Sequence, residues 1–258
     1  MKRINKGQEP RSLEQYRAAN PTSNWKLCVA DQDRRDEIQN HLRQDQGGIC
    51  CYCEIDLIPA NVGKADFRVE HFHPKSDTST EFNWHLDWQN LFCCCHGGSE
   101  KYVNSAEARF TSPDTSCDVP KEDNDWDSLI FKPSDLPAFP GIFKFHRVDG
   151  SDQISIEVDD KGCTAAGVDL TIAKQTIDML KLDAPRLKRL RKVELDYLNE
   201  IVERSLEAGK EIEEILRELT LSQLVKDEDG NWPSFFSAKR SYLGHAAEQH
   251  LRTTGYNG

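Results

Sequence analysis

Apolar and polar positions change period along the chain, and the changes mark its elements. Residues 11–46 carry a mostly helical period, broken at Pro21. Asp31 or Asp33 is placed to cap a helix that turns Ile38 and Leu42 inward, and Gly47-Gly48 stops it. Residues 49–72 hold two short extended stretches around a loop at Asn61-Val62-Gly63, with Phe67 and Val69 alternating before Glu70. Residues 99–128 are polar and turn-rich, with no period. Three extended pieces follow: SLIFKP (128–133), GIFKFHRV (141–148) and ISIEV (154–158). Asp149-Gly150 between the last two predicts a hairpin. From about residue 168 the period is helical again. Asp183 is placed as a cap and Pro185 in the first turn of a helix. Its stripe reads Leu187, Leu190, Val193, Tyr197, Leu198, Ile201 and Val202. A second helix carries Ile212, Ile215, Leu216 and Leu219, and residues 233–251 predict a last one. There is no internal repeat. The expected class is α+β, with a Cys/His-rich half followed by a helical half.

Composition narrows the class. Of 258 residues, 37% are hydrophobic and 30% charged, which predicts a soluble globular chain. MKRINKGQEP lacks the apolar stretch of a secretory signal, and no run is long enough to span a bilayer, so a cytoplasmic, membrane-free protein is expected. The net charge of −11 argues against a nucleic-acid binder that works alone, because phosphate neutralisation needs basic surface. A local site, or a partner that holds the substrate, is compatible with it.

The nine cysteines change the picture most. Seven fall between Cys50 and Cys117, and an odd number in a reducing compartment makes a disulfide framework a poor account. Cys50-x-x-Cys53 supplies half of a zinc knuckle, since two thiolates on one tight turn reach a single ion. Cys95 and Cys117 are the chosen second half, with Cys93 and Cys94 as rivals. Between the halves lies VEHFHPKS (69–76). Glu70 offers a hard oxygen ligand, and His71 is the residue type that takes a proton from water near neutrality.

The order ICCYC (49–53), VEHFHPKS, WQNLFCCCHGG (88–98) and SCDVPK (116–121) resembles the HNH, or ββα-metal, endonucleases. The opening KGQEPRSLEQYR (6–17) is similar to the HNH subunit of Septu and retron-associated anti-phage systems. The resemblance implies a zinc-stabilised ββα-metal core over residues 47–165, after an N-terminal helical lead-in (1–46) and before a partner-binding helical region (166–258). It implies that Glu70 binds the catalytic Mg²⁺ or Mn²⁺ and that His71 is the general base. It further implies that Asn90 braces the loop carrying the base and that Asp118 is the last ligand of the ion. Many relatives have histidine at the Asp118 position, which leaves His96 as a rival ligand here. His73, Lys75 and Lys121 would contact substrate phosphate or brace the loop.

The implied partners are an ABC/SMC-like ATPase and a DNA or RNA substrate, extending to a retron reverse transcriptase with its RNA–DNA. No phosphate-binding G-x-x-x-x-G-K-[ST] loop occurs, so ATP use belongs to another subunit. Two alternatives stand beside the enzyme: a catalytically silent zinc scaffold and a nucleic-acid-binding zinc module. Arg186-Leu-Lys-Arg-Leu-Arg-Lys192 reads either as a solvated helix face or as a contact for nucleic acid or a partner.

Overall fold

Helix formation near the start of the chain follows its capping residues. In the computed structural model, which describes residues 1–59, 65–103 and 105–258, α1 spans Arg11–Ala19, α2 Trp25–Cys28 and α3 Gln32–Gln46. The loop expected at Asn61-Val62-Gly63 lies outside the described residues. Asn24 caps α2 through the Leu27 amide at 3.0 Å, and Asp31 caps α3 through the Arg34 amide at 2.8 Å. Gly47 closes α3 at φ 64°, a conformation that suits glycine.

Two small antiparallel sheets follow. β1 (Phe67–His71) pairs with β2 (Leu91–Cys95), with Glu70 opposite Phe92 and His71 opposite Leu91. All five residues of β2 are buried, and α3 packs against it. β3 (Phe143–Arg147) pairs with β4 (Ile154–Val158) across the expected Asp149-Gly150 turn, where Gly150 has φ 68°. A single helical turn, α4 (Ala106–Arg109), sits between the sheets. The helices α5 (Asp160–Ala166), α6 (Leu170–Met179), α7 (Pro185–Glu207), α8 (Ile212–Gln223) and α9 (Phe236–Thr253) complete the chain. The mixture of helices and small sheets is the α+β class expected. No helix among the described residues is long and apolar enough to cross a membrane.

One contiguous core joins the two halves. It runs from Leu13, Ile38 and Leu42 through Tyr52, Leu91 and Phe92 to Leu187, Leu198, Phe236 and Leu251. The segment leading into α9 lies on the turn after α3: the Trp232 amide donates to the Gly47 carbonyl at 2.7 Å, and Phe235 to Glu54 at 2.8 Å.

Three local expectations are corrected. Residues 128–133 are not extended; the Leu129 and Ile130 amides both return to the Trp126 carbonyl, at 2.8 and 3.1 Å. The next amide, Phe131, is taken by the Thr176 hydroxyl at 2.9 Å, so no strand partner remains for it. Asp183 does not cap α7. Its carboxylate accepts the Ile156 amide at 3.0 Å and pairs with Lys188 at 2.7 Å, which fastens β4 to the helix start. On α7 itself Val193 and Tyr197 are exposed, whereas Arg186 and Arg191 are buried beside Leu187, Leu195 and Leu198. The buried face is therefore rotated from the apolar stripe and includes two of the basic residues read as surface.

Candidate functional site: a thiol cluster behind an acidic cleft

The turn after α3 brings the first two cysteines together. The Cys50 amide donates to the Ile55 carbonyl at 2.8 Å, the Glu54 amide returns to Cys50 at 3.1 Å, and Glu54 takes φ 65°. Gln46 fastens this turn to β2. Its amide nitrogen donates to the Ile49 and Cys93 carbonyls, both at 2.8 Å, and its oxygen accepts the Cys93 amide at 2.6 Å. Cys117 arrives from the far segment, its amide donating to the Leu180 carbonyl at the end of α6 at 2.8 Å.

Five buried sulfurs converge there. Cys53 lies 3.6 Å from Cys95, Cys95 3.7 Å from Cys117, and Cys50 3.8 Å from Cys94. The sulfurs of Cys50, Cys94, Cys95 and Cys117 all lie within 4.8 Å of one another. A tetrahedron with metal–sulfur bonds of ~2.3 Å has edges of about 3.8 Å, so the cluster has the dimensions that could hold a metal ion. Of the four cysteines chosen from sequence, Cys50, Cys95 and Cys117 fall in this group with Cys94, one of the rivals, and Cys53 adjoins it through Cys95. Successive side chains on a strand point to opposite faces, and the Cys94 thiol donates to the Asp118 carboxylate at 3.3 Å. Cys93 turns away, its thiol 3.7 Å from the Gln39 carbonyl, whereas Cys51 touches Cys50 and Cys94; burial pushes both thiols up.

In front of the cluster, Arg68, Glu70, His71, Lys75 and Asp118 line one cleft of about 450 Å³. Asp118 sits on a run of turns over residues 117–123 rather than on a regular helix. Each carboxylate already has a cation. Arg68 holds Asp118 in a two-pronged pair at 2.6 and 2.7 Å, and Lys121 reaches Glu70 at 3.1 Å. The Tyr52 hydroxyl donates to Glu70 at 3.3 Å. Burial and the neighbouring Asp118 charge push Glu70 up to about 7, against the pull of Lys121. Burial likewise raises Asp118, against the pull of Arg68.

His71 is oriented by a carbonyl. Its Nε2 lies 3.2 Å from the His85 oxygen, which can only accept, so Nε2 carries the proton and Nδ1 keeps the free lone pair. Burial, then the nearby Lys75 charge, lowers its pKa to about 3, so the ring is neutral at ordinary pH. Trp25 meets it edge to face, ring centroids 5.1 Å apart. Trp25, Arg68 and Val69 also line a second cleft of about 590 Å³ between β1 and the helices α2 and α3.

Asn90 closes the 72–90 connection. Its oxygen accepts the His73 amide at 2.6 Å, and its nitrogen donates to the His73 and Trp84 carbonyls at 3.0 and 3.1 Å. His73 is held between Asp127 at 2.8 Å and Asp77 at 2.9 Å, with its ring on Trp84. Lys75 is half-buried at the cleft rim, 3.9 Å from Asp123. Lys121, expected at substrate phosphate, is 1% exposed and also donates to the His71 carbonyl at 3.1 Å. It sits under the site instead, because the buried Glu70 needs a counter-charge. His96 Nε2 lies 3.2 Å from the Ala65 carbonyl.

An Escherichia coli protein named "Retron Ec83 putative HNH endonuclease" is 34% identical over 223 residues, covering 77% of this chain and 81% of that protein. The chain belongs to the HNH endonuclease family. No family model matches it. In this HNH chain the residues that sequence reasoning missed are Gln46, Tyr52, Arg68, and the carbonyl of His85. Arg68 alternates with Glu70 on β1, a signal that two residues apart share a face. The others act through backbone contacts or distant pairing, which leave no motif.

Proposed function

We propose that this chain is a metal-dependent HNH endonuclease that hydrolyses phosphodiester bonds of DNA or RNA as the effector of an anti-phage defence complex. The observation that carries the reading is the fixed tautomer of His71 in the cleft it shares with Glu70 and Asp118. Nδ1 takes a proton from the attacking water, and a positioned base of this kind is typically worth ~10²–10⁴-fold. Asn90 holds the loop that carries the base, as the second member of the site. Glu70 and Asp118 offer hard oxygens that suit Mg²⁺ or Mn²⁺. Such an ion would stabilise the added charge on the phosphate and the leaving oxygen. Arg68, now paired with Asp118, would be the nearest guanidinium to a bound phosphate if Asp118 turned to such an ion. Lys75 at the rim supplies a phosphate contact, and His73 braces the loop.

Behind the site, Cys50, Cys53, Cys95 and Cys117 hold a structural zinc in a ββα-metal core spanning residues 47–165. Cys53 is kept as the fourth ligand because it completes the C-x-x-C turn and lies 3.6 Å from Cys95, while Cys94, closer to the other three, donates its thiol proton to Asp118. The helical region, 166–258, is the docking side for an ABC/SMC-like ATPase. The resemblance to Septu and the retron relative favour a cytoplasmic complex that includes a reverse transcriptase and its RNA–DNA. The acidic net charge agrees with a subunit that receives its substrate from a partner.

A second reading has one observation in its favour. Both acidic ligands are paired with cations, as in a catalytically silent zinc scaffold. One assay panel decides. Purified chain, with and without its ATPase, is incubated with plasmid, single-stranded DNA and tRNA in Mg²⁺ or Mn²⁺. Cleavage that requires the ion and is lost in His71→Ala supports the enzyme. Wild-type inactivity on every substrate, with ATPase binding intact, supports the scaffold.

A further inference from the structure

Two arginines of α7 are buried without an obvious reason. Arg186 is 1% exposed and Arg191 2%, the bulkiest of the fully buried side chains. Arginine stays charged under all ordinary conditions, and an uncompensated buried charge costs several kcal/mol. Direct partners account for only part of each guanidinium. Arg186 donates to the Ser116 hydroxyl at 2.6 Å and Arg191 to the Leu182 carbonyl at 2.6 Å. Nε of Arg186, and Nε and Nη1 of Arg191, are buried with no hydrogen-bond partner.

Sulfurs lie near both, and Arg191 also lies over the Phe145 and Phe235 rings at 5.3 and 5.9 Å. Cys95, Cys53 and Cys117 act on Arg186, and Ser116, which accepts from it, lies 3.6 Å from the Cys117 sulfur. Cys53 and Cys117 act on Arg191 together with Asp183 and Glu54. Those two carboxylates have other cations: Asp183 pairs with Lys188 at 2.7 Å and Glu54 with the amino group of Met1 at 3.1 Å. Neutral thiols would leave the guanidiniums unbalanced. Four thiolates around a divalent ion carry two net negative charges, and two arginines cancel them.

We propose that Arg186 and Arg191 are the counter-ions of the zinc–thiolate centre, so that zinc binding and the docking of α7 stabilise each other. The proposal rests on the zinc reading above. It explains why the basic run 186–192 faces inward at two positions, and why residues around a metal's ligands can set its affinity. Linkage makes the effect reciprocal: what α7 adds to zinc affinity, zinc adds to α7 docking.

The test uses the full chain. Zinc release to a chromogenic chelator is followed in wild type, Arg186→Met, Arg186→Lys and the exposed control Arg189→Met. Arg186→Met is expected to release zinc about 10–100-fold more readily, the range typical for residues that support metal ligands. Arg186→Lys should fall between, and Arg189→Met should match wild type. Wild-type release from Arg186→Met overturns the proposal. Should Arg186→Met fail to fold, hydrogen exchange on wild type before and after zinc removal decides instead. Loss of protection over 185–198 ahead of the β3–β4 hairpin is expected, and unchanged protection there overturns it. Wild-type protein that holds no zinc would overturn the zinc reading itself, a distinct result.

Discussion

The two β-hairpins have the same size and opposite roles. β1–β2 and β3–β4 each pair five residues with five. In the second, exposed Lys144 and Glu157 face each other as an ion pair at 3.1 Å, and the turn between the strands is short. In the first, every residue of β2 is buried and the connection runs over residues 72–90. Side chains hold that long connection, Asn90 across its mouth and His73 against Asp127, while Gln46 and the thiol cluster brace β2 behind it. A short turn needs no such support and carries no chemistry. The first hairpin exposes functional groups because its order comes from elsewhere, and that dependence can be tested by cutting each support in turn.

The largest effect should come from the sulfurs. Cys50→Ser, Cys95→Ser and Cys117→Ser should each lose zinc and yield partly unfolded protein, because structural zinc contributes on the order of 10 kcal/mol to small folds of this kind. Cys53→Ser should behave the same, whereas Cys94→Ser, Cys28→Ser and Cys163→Ser should keep zinc. Elemental analysis with circular dichroism reads both quantities. A folded Cys53→Ser protein that keeps its zinc would shift the fourth ligand to Cys94.

Next comes the base. His71→Ala should cut cleavage by ~10²–10⁴-fold with zinc content and melting temperature near wild type. Glu70→Gln and Asp118→Asn should also be inactive, and excess Mn²⁺ should rescue them in part but leave His71→Ala dead. If His73→Ala or His96→Ala is dead while His71→Ala cuts normally, the wrong histidine has been assigned.

The third cut separates the hairpins directly. Asn90→Ala removes three hydrogen bonds at a buried site and leaves the His73 amide and two carbonyls unpaired. That should cost about 2–4 kcal/mol, since each buried orphan is worth ~1–3 kcal/mol and some will find water. Gly150→Ala, which strains a residue at φ 68° in the second hairpin with nothing within 4 Å of the new methyl, should cost only about 1 kcal/mol. Urea unfolding at matched protein concentration compares them. Equal losses would mean that the connection 72–90 is not held by Asn90.

The sequence was legible wherever local rules act. Capping by Asp31, termination at Gly47 and the Asp149-Gly150 hairpin follow from residue chemistry within a few positions. VEHFHPKS and ICCYC were legible because metal and proton chemistry demand particular residue types at particular spacings. What stayed hidden depends on distant charges. Arg186 and Arg191 sit among leucines on a basic helix, and only the sulfurs of another segment explain their burial. Lys121 looked like a phosphate contact until the buried Glu70 above it required an ammonium. Residues 128–133 looked extended because their apolar run says nothing about a hydroxyl, Thr176, waiting on α6.

The smallest effect is a pH dependence of the same connection. Burial alone would lower the His73 pKa, but Asp127 and Asp77 accept hydrogen bonds from its two ring nitrogens and together raise it above the usual value. Asp125 adds to the same field. A folded-state pKa above the unfolded ~6.5 means the folded chain binds the proton more tightly. The resulting stability is fully present below about pH 6.5 and is lost as pH rises through the raised folded value. Its partners are partly exposed, so the contribution should stay below about 1 kcal/mol and shrink in salt. The difference in melting temperature between wild type and His73→Gln should therefore be largest near pH 6 and narrow toward pH 8.5. A gap for His73→Gln that widens with rising pH would show that the imidazole is held neutral, and that the connection is closed by Asn90 without help from charge.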